Sequence, residues 1–371
     1  MTASMDVPSP VVAARLSTLD RYLPLWIGLA MLIGLGLGQL WPDIGPALDR
    51  VQLAGVSVPI GAGLLWMMYP VLAKVRYESV GVHLQDRRLM GVSLVLNWII
   101  GPVVMFALAW LLLSDLPGYR NGVILIGLAR CIAMVLIWND LACGSRELAA
   151  VLVALNSIFQ VVLYGVLGWL FLTVVPGWLG AEGTAVDVSM WQIARSVLVF
   201  LGLPLLAGYL SRRLLVARRG VRWYEETFLP RIGPTALLGL LYTIVLIFAM
   251  QGRQILAHPV DVARIALPLV LYFGVMFAIA FAVARWAAFG YEETASLAFT
   301  AAGNNFELAI AVAIGTFGIT SPEALAGVVG PLVEVPVLVG LVYAALAARR
   351  RWYTPAGGLT PASPPPSAPR T

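Results

Sequence analysis

Long apolar runs separated by short polar loops recur along the whole chain. Each run holds about 20 mostly apolar residues, the length that an α-helix needs to cross the hydrocarbon core of a bilayer. The pattern predicts ten membrane-spanning helices, at residues 21–41, 55–73, 89–113, 121–138, 147–173, 191–210, 230–250, 263–287, 294–315 and 324–347. Composition agrees, because 60% of the 371 residues are hydrophobic and only 12% are charged, about half of the ~25% found in soluble domains. The sequence therefore predicts an all-α membrane protein.

The positive charges of the connecting loops alternate from one side of the membrane to the other. One alternate set of loops and termini holds 18 of the 24 Lys and Arg residues, the other set holds four, and Arg130 and Arg195 fall inside predicted helices. Because cytoplasmic loops collect positive charge, both termini are predicted to be cytoplasmic. The connection 174–189 contains no Lys or Arg, as expected of an external linker.

This linker divides the predicted helices into two sets of five. A unit with an odd number of crossings inserts its duplicated copy upside down, so the two halves are predicted to be inverted repeats. The predicted divisions are an N-terminal cytoplasmic tail at 1–20, a first repeat at 21–173, the linker at 174–189, a second repeat at 190–347, and a C-terminal cytoplasmic tail at 348–371. The last tail is rich in Pro, Ala and Ser, which predicts disorder.

Two predicted helices, the fourth and the ninth, are interrupted by polar residues. These residues are Arg130 and Cys131 in the fourth helix, and Gly303, Asn304, Asn305 and Glu307 in the ninth. Interrupted helices at corresponding places in two halves mark the binding site of a secondary transporter. The two helices are therefore expected to be broken, to cross at the midplane of the bilayer, and to hold a substrate there.

Cys131 permits two interpretations. A cysteine in an apolar helix is by default a small, inert hydrophobic residue. The adjoining charge of Arg130 would favour the thiolate, which is a soft ligand for a soft metal or metalloid. The second interpretation predicts that Cys131 binds a thiophilic substrate, with that substrate rather than a resident metal as its partner.

Two carboxylates lie inside predicted helices, Glu307 in the ninth and Glu334 in the tenth. Carboxylates at bilayer depth mostly mark ion or proton paths, so both are candidates for proton coupling. The structural alternatives are that Glu307 pairs with Arg130 or is capped by Asn304, one helical turn back, and that Glu334 pairs with Arg130 instead.

Several classes of function lack their sequence marks. The chain contains no P-loop, dinucleotide fingerprint or zinc-ligand cluster, so neither ATP, nor a cofactor, nor enzymatic catalysis is expected. The net charge of +5 comes from short loops rather than from a basic face, which does not favour nucleic acid as a partner. The expected partners are a small substrate, protons and the lipid bilayer, and the sequence leaves the oligomeric state open.

Four motifs resemble the arsenite permease family, the arsenical-resistance efflux carriers of the bile acid, arsenite and riboflavin transporter superfamily. They are ARCIAMVLIWND at 129–140, GNNFELAIAVAIGTFG at 303–318, GPLVEVPVLVGLVY at 330–343 and LNWIIGP at 96–102. The resemblance implies a ten-helix inverted-repeat carrier of the bacterial inner membrane that extrudes trivalent arsenite, in some members antimonite, driven by proton entry. It also implies that Cys131 and Glu307 are the essential cysteine and the essential glutamate of the family.

The resulting hypothesis is that Cys131 contacts arsenic, that Asn304 and Asn305 bond its hydroxyl groups, and that Glu307 binds the proton. One alternative is a sodium-coupled organic anion symporter of the same superfamily. Another is an intramembrane thiol enzyme with Cys131 as nucleophile, which would need a general base within hydrogen-bond reach. Both histidines of the chain fall in predicted loops, which does not favour the enzyme.

Overall fold

The structure is a computed structural model that describes residues 22–41, 43–48, 50, 52–53, 56–75, 86–132, 134–180, 190–257, 259–318 and 320–353. The predicted N-terminal tail, most of the external linker and most of the C-terminal tail lie outside these residues.

Helices form nearly all of the described part of the chain. In chain order they are α1 (Leu23–Leu40), α2 (Ile44–Leu48), α3 (Val58–Ala73), α4 (Arg87–Leu112), α5 (Pro117–Leu128), α6 (Met134–Leu141), α7 (Arg146–Trp178), α8 (Met190–Arg219), α9 (Val221–Trp223, a π turn at Tyr224–Phe228, then Leu229–Ala257), α10 (Pro259–Trp286), α11 (Tyr291–Ala302), α12 (Phe306–Phe317) and α13 (Pro322–Trp352). Two short antiparallel strands, β1 (Gln52–Leu53) and β2 (Val56–Ser57), form a hairpin between α2 and α3.

Six of the described helices are long and apolar enough to cross a membrane by length and composition, namely α4, α7, α8, α9, α10 and α13. Shorter apolar helices lie within α1, α3 and α12. The prediction of an all-α, largely apolar protein is therefore confirmed, because the apolar runs of the sequence have become helices.

The helices pack in two groups. In the first group, α9 packs against α1 and α3, and α3 packs against α8. Glycines at a four-residue spacing let α1 approach α9 closely: a Cβ on Gly34 would lie 2.6 Å from the carbonyl oxygen of Val245, and one on Gly38 would meet Ala249. Small residues on one helix face permit this close packing in membrane proteins.

In the second group, α10 packs against α11 and α13, α13 against α5 and α12, and α4 against α5 and α10. The two groups meet where α12 packs against the first part of α8 and where α7 packs against the same part. Most residues of α5, α11 and α12 are themselves buried, so the interrupted helices lie in the interior of the protein.

Several helices extend past the boundaries that the sequence indicated, including α8, which ends at Arg219 rather than at residue 210, and α9, which ends at Ala257 rather than at residue 250. Helix α7 continues past residue 173 to Trp178 and α13 past residue 347 to Trp352. The extension of α13 has a packing cause, because the Arg285 guanidinium lies over the Trp352 ring at 5.2 Å and the Tyr353 hydroxyl bonds Thr294 Oγ1 at 3.2 Å. The predicted disordered tail from 348 is therefore wrong for its first residues, which are helical.

Candidate functional site

The predicted fourth and ninth helices are both interrupted, between α5 and α6 and between α11 and α12. The backbone is extended at the end of α5, where Ala129 has φ −84° and ψ 115°, and at the end of α11, where Gly303 has φ −72° and ψ 146°. Each interruption frees backbone groups that need hydrogen-bond partners when they are buried. In lipid no water would be present to supply them.

The two interruptions supply those partners to each other. The amide of Cys131 donates to the Gly303 carbonyl at 3.2 Å, and the amide of Asn305 donates to the Ala129 carbonyl at 3.1 Å. Between these bonds Arg130 and its counterpart in the second interruption form an antiparallel bridge. We call this paired backbone, residues 129–132 and 303–305, the crossover.

The two asparagines of the crossover have different roles. The side-chain amide of Asn304 donates to the carbonyls of Ile126 and Ala129 at the end of α5, at 2.8 and 3.1 Å, and so adds a second donor to each. Asn305 caps α12, because its Oδ1 accepts from the Leu308 amide at 3.1 Å. The alternative in which Asn304 caps Glu307 is not supported, because the hydrogen bonds of the Asn304 amide go to the end of α5.

Arg130 is fully buried, and its hydrogen bonds go to neutral oxygens. The guanidinium donates to the Tyr272 hydroxyl at 2.7 Å, to the Ala301 carbonyl at 3.4 Å and to the Gly127 carbonyl. Its backbone amide donates to Gln160 Oε1 at 3.0 Å. The expected pairing with Glu307 or with Glu334 is not among the contacts that the described residues make. A cation can instead be stabilised by the partial negative charge of helix C-termini, and both carbonyls belong to such ends.

Cys131 lies directly against the second interruption. Its side chain is 2% exposed, and both cysteines of the chain are thiols. A Cβ built on Gly303 would lie 2.9 Å from Cys131 Cβ and 3.5 Å from its Sγ. The thiol therefore belongs to the crossover, in the position where a glycine leaves room for it.

Glu307 lies in the first turn of α12 and lines two cavities. The larger has a volume of about 540 Å³ and is bounded by α3, α6, α7 and α9, with Ile132 of the crossover on its wall. The smaller, of about 20 Å³, lies among α1, α3, α9, α12 and α13. Met67 and Leu240 also line both cavities, so the larger space and the smaller one adjoin each other at Glu307.

The larger cavity has mostly apolar walls and two ionisable residues at its lining. Lys74, at the end of α3, is exposed, whereas Glu307 is only partly exposed. The cavity thus extends from the exposed Lys74 to Glu307, which lies two residues after the crossover.

The second predicted carboxylate, Glu334, is 5% exposed in α13. Its Oε1 has no hydrogen-bond partner among the described residues, and the Glu307 carboxylate acts on it electrostatically. The structure therefore places the two carboxylates on neighbouring helices, because α12, which carries Glu307, packs against α13.

Tyr272 of α10 was missed by the sequence analysis, although it bonds the buried Arg130 guanidinium. The signal was present, because a tyrosine inside an apolar helix needs a partner for its hydroxyl. Gln160 of α7 also contributes to the crossover, because its Oε1 accepts from the Arg130 amide. Two polar atoms at the crossover, Asn304 Oδ1 and Asn305 Nδ2, have no hydrogen-bond partner within the described residues.

The fold and this site define a helical membrane transporter with a pair of interrupted helices around a buried polar centre. A family model described as the Sodium Bile acid symporter family matches residues 62–258. The arsenical-resistance protein Acr3 of Corynebacterium glutamicum is 57% identical over 90% of each chain. The protein of the same name from Alkaliphilus metalliredigens is 34% identical over 87% of this chain and 91% of its own. An uncharacterized transporter of Synechocystis is 36% identical over 88% of each chain. The chain belongs to the arsenite efflux permease family, the arsenical-resistance branch of this larger group, which confirms the resemblance seen in the motifs.

Proposed function

We propose that this protein is a secondary transporter that extrudes trivalent arsenite, with antimonite as a second candidate substrate, from the cytoplasm in exchange for protons. The observation that carries the proposal is the crossover, which holds the Cys131 thiol against Gly303, four residues before Glu307. The arsenical-resistance names of the two relatives support arsenite as the substrate.

In this proposal ten helices cross the bacterial inner membrane as two inverted five-helix repeats, residues 21–173 and 190–347, with both termini cytoplasmic. Similar contacts at the two ends of the protein support the inversion. Ser145 caps α7 and its amide donates to the Glu292 carbonyl at the start of α11. Ser321 caps α13, whose first turn packs against Gly122 of α5. The start of α11, the first half of one broken helix, thus lies beside the capped start of α7. In the same way α5, the first half of the other broken helix, lies beside the capped start of α13.

The proposed cargo suits the chemistry of the crossover. Arsenite is a neutral, thiophilic hydroxide at pH 7, so it needs a soft ligand and hydrogen-bonding groups for its hydroxyls. Cys131 supplies the sulfur ligand. Asn304 Oδ1 and Asn305 Nδ2, an acceptor and a donor without partners in the described structure, suit the hydroxyl groups. One sulfur ligand permits release, whereas several would hold the metalloid too tightly.

The carboxylates of Glu307 and Glu334 are the proposed proton carriers. They interact electrostatically, and Glu307 lines the cavity that contains Lys74 at its edge. Because Lys74 belongs to a loop that the charge pattern places inside, the cavity is proposed to open to the cytoplasm. Exchange of neutral arsenite for an incoming proton moves charge inward, so the membrane potential contributes ~2.3 kcal/mol per charge per 100 mV.

Uptake of arsenite into everted membrane vesicles under an imposed pH gradient tests the proposal. Cys131→Ala and Glu307→Gln are expected to abolish gradient-driven uptake, the first through the lost sulfur ligand and the second through the lost proton site. Cys143→Ala is the matched control, because it removes the other thiol, which lies in the loop between α6 and α7, and it should transport at the wild-type rate. Wild-type uptake by either Cys131→Ala or Glu307→Gln would refute the role given to that residue.

A sodium-coupled organic anion symporter is the second candidate. The cavity of about 540 Å³ favours it, because this space has mostly apolar walls and exceeds what arsenite fills. Sodium-dependent uptake of an organic anion into intact cells, unaffected by Cys131→Ala, would support this candidate over arsenite efflux.

A further inference from the structure

The guanidinium of Arg130 lies in a cage of neutral oxygen atoms. Its bonds go to the Gly127 carbonyl in the last turn of α5, to the Ala301 carbonyl in the last turn of α11, and to the Tyr272 hydroxyl of α10. The Tyr272 hydroxyl also bonds the Ala301 carbonyl at 3.4 Å. Three elements thus direct oxygen atoms toward one buried positive charge.

A fourth helix is shaped to leave room for that charge. A Cβ on Gly101 of α4 would lie 2.7 Å from Arg130 Nη1, 3.0 Å from the Tyr272 hydroxyl and 3.2 Å from the Leu96 carbonyl. That carbonyl begins the π turn Leu96–Ile100, which widens α4 next to the guanidinium. Any side chain at Gly101 would therefore fill the cage.

The cage is electrostatically unusual because a fully buried charge normally needs a counter-ion. Among the hydrogen-bond partners that the described residues offer to Arg130, none is a carboxylate. The compensation comes from carbonyl and hydroxyl dipoles and from the C-terminal ends of α5 and α11, each equivalent to about half a negative charge. Carbonyls of interrupted helices and the C-terminal ends of half-helices are also the groups that coordinate sodium in transporters with broken helices.

We propose that the Arg130 guanidinium is a tethered cation that fills a sodium-type oxygen cage at the crossover, so that this transporter works without sodium. The matched family model is named for sodium symporters, and a covalently attached cation removes the need for a free one. Arginine suits this role because its side chain carries a positive charge on a planar group with five N–H donors. Proton coupling is then left to the carboxylates. The inference needs the fold but not the identity of the cargo.

Thermal unfolding of the purified protein in detergent tests the proposal directly. The wild type, Arg130→Ala and Arg130→Gln are each measured while sodium chloride replaces choline chloride at constant ionic strength. The wild type is expected to unfold at the same temperature in both salts. Both variants should unfold earlier in choline and regain stability saturably with sodium, because binding to the folded state alone raises stability with ligand concentration. Arg130→Gln keeps an amide donor for Gly127 and covers the case in which Arg130→Ala does not fold.

Arg120→Ala is the matched control. Arg120 is also buried in α5, but its guanidinium lies over the Trp110 ring at 4.1 Å rather than in a carbonyl cage. Its variant should show no sodium-specific gain. Three results would overturn the proposal: sodium-dependent stability or transport in the wild type, no sodium response in either Arg130 variant, or an equal response in Arg120→Ala. Because unfolding is measured without arsenite, failure here is distinguishable from failure of the proposed substrate.

Discussion

The contact between Gly303 and Cys131 gives the sharpest test of the crossover. In Gly303→Ala the added Cβ would lie 2.9 Å from Cys131 Cβ and 3.2 Å from the Phe299 carbonyl, both shorter than van der Waals contact. The backbone at Gly303, with φ −72° and ψ 146°, suits alanine without strain. The cost of this substitution therefore comes from the contact alone.

The expected magnitude follows from two opposing effects. Inserting a methyl group into a well-packed interior costs about 1–3 kcal/mol, whereas replacing glycine restricts the unfolded chain and returns about 0.4–1 kcal/mol. The net loss of folding free energy for Gly303→Ala is therefore between roughly 0 and 2.6 kcal/mol. Gly274→Ala is the matched control, because a methyl group added there, in the interior of α10, would have no atom within 4 Å. At that position alanine should stabilise by roughly 0.5–1 kcal/mol.

A double-mutant cycle assigns the cost to the correct atoms. In the double variant Gly303→Ala with Cys131→Gly, the Cβ added at residue 303 no longer meets a Cβ at residue 131. This variant should therefore recover the stability that the contact costs. Combining Gly303→Ala with Cys131→Ala keeps both Cβ atoms and should recover little. The assay is unfolding in detergent, with arsenite uptake into everted vesicles measured in parallel. Equal stability of Gly303→Ala and Gly274→Ala would show that the two interruptions do not touch as described.

Three further predictions concern the groups around the crossover and one ion pair at the surface. Asn304→Leu should destabilise the protein by about 1–3 kcal/mol in an unfolding assay, because two buried hydrogen bonds of about 0.5–1.5 kcal/mol each are lost, and a stability equal to wild type would contradict the bonding of that side chain. Gln160→Leu should cost a similar amount because the Arg130 amide loses its acceptor, whereas Gln160→Glu, which keeps an acceptor oxygen, should retain more of the stability. At the surface, the Arg264 guanidinium lowers the pKa of Asp115 through its hydrogen bond. At pH values above the ordinary carboxyl pKa, the ion pair contributes its full stabilisation to the fold. That stabilisation is lost as the pH falls through the lowered pKa of Asp115. Since exposed pairs contribute little, Asp115→Asn should transport arsenite at the wild-type rate at pH 7, and a large loss would show a role beyond the surface.

Much of this architecture could be predicted from the sequence because it depends on local properties. The length and apolarity of each run determine whether it forms a membrane-length helix, and neither depends on its neighbours. The polar residues that interrupt the fourth and ninth predicted helices marked both breaks for the same reason. The polar residue types within these apolar runs also identified Cys131 and Glu307 as the residues on which to test function.

The partners of the buried polar groups could not be predicted in this way. From the sequence, a carboxylate was offered as the partner of Arg130, because opposite charges are the simplest pairing, and Asn304 was offered as a cap for the Glu307 carboxyl. Ala301, whose carbonyl bonds the Arg130 guanidinium, is 171 residues away along the chain. No local pattern encodes such a distance.

The sequence by itself thus determined which segments are apolar, where their helices break and which reactive side chains the breaks contain. Only the tertiary structure decided that Gly303 leaves space for the Cys131 side chain, that neutral oxygens surround Arg130, and that Glu307 lines the larger cavity. The physical reason is that transfer of apolar side chains out of water is a sum over single residues, whereas the satisfaction of a buried donor or charge depends on which helix ends meet it.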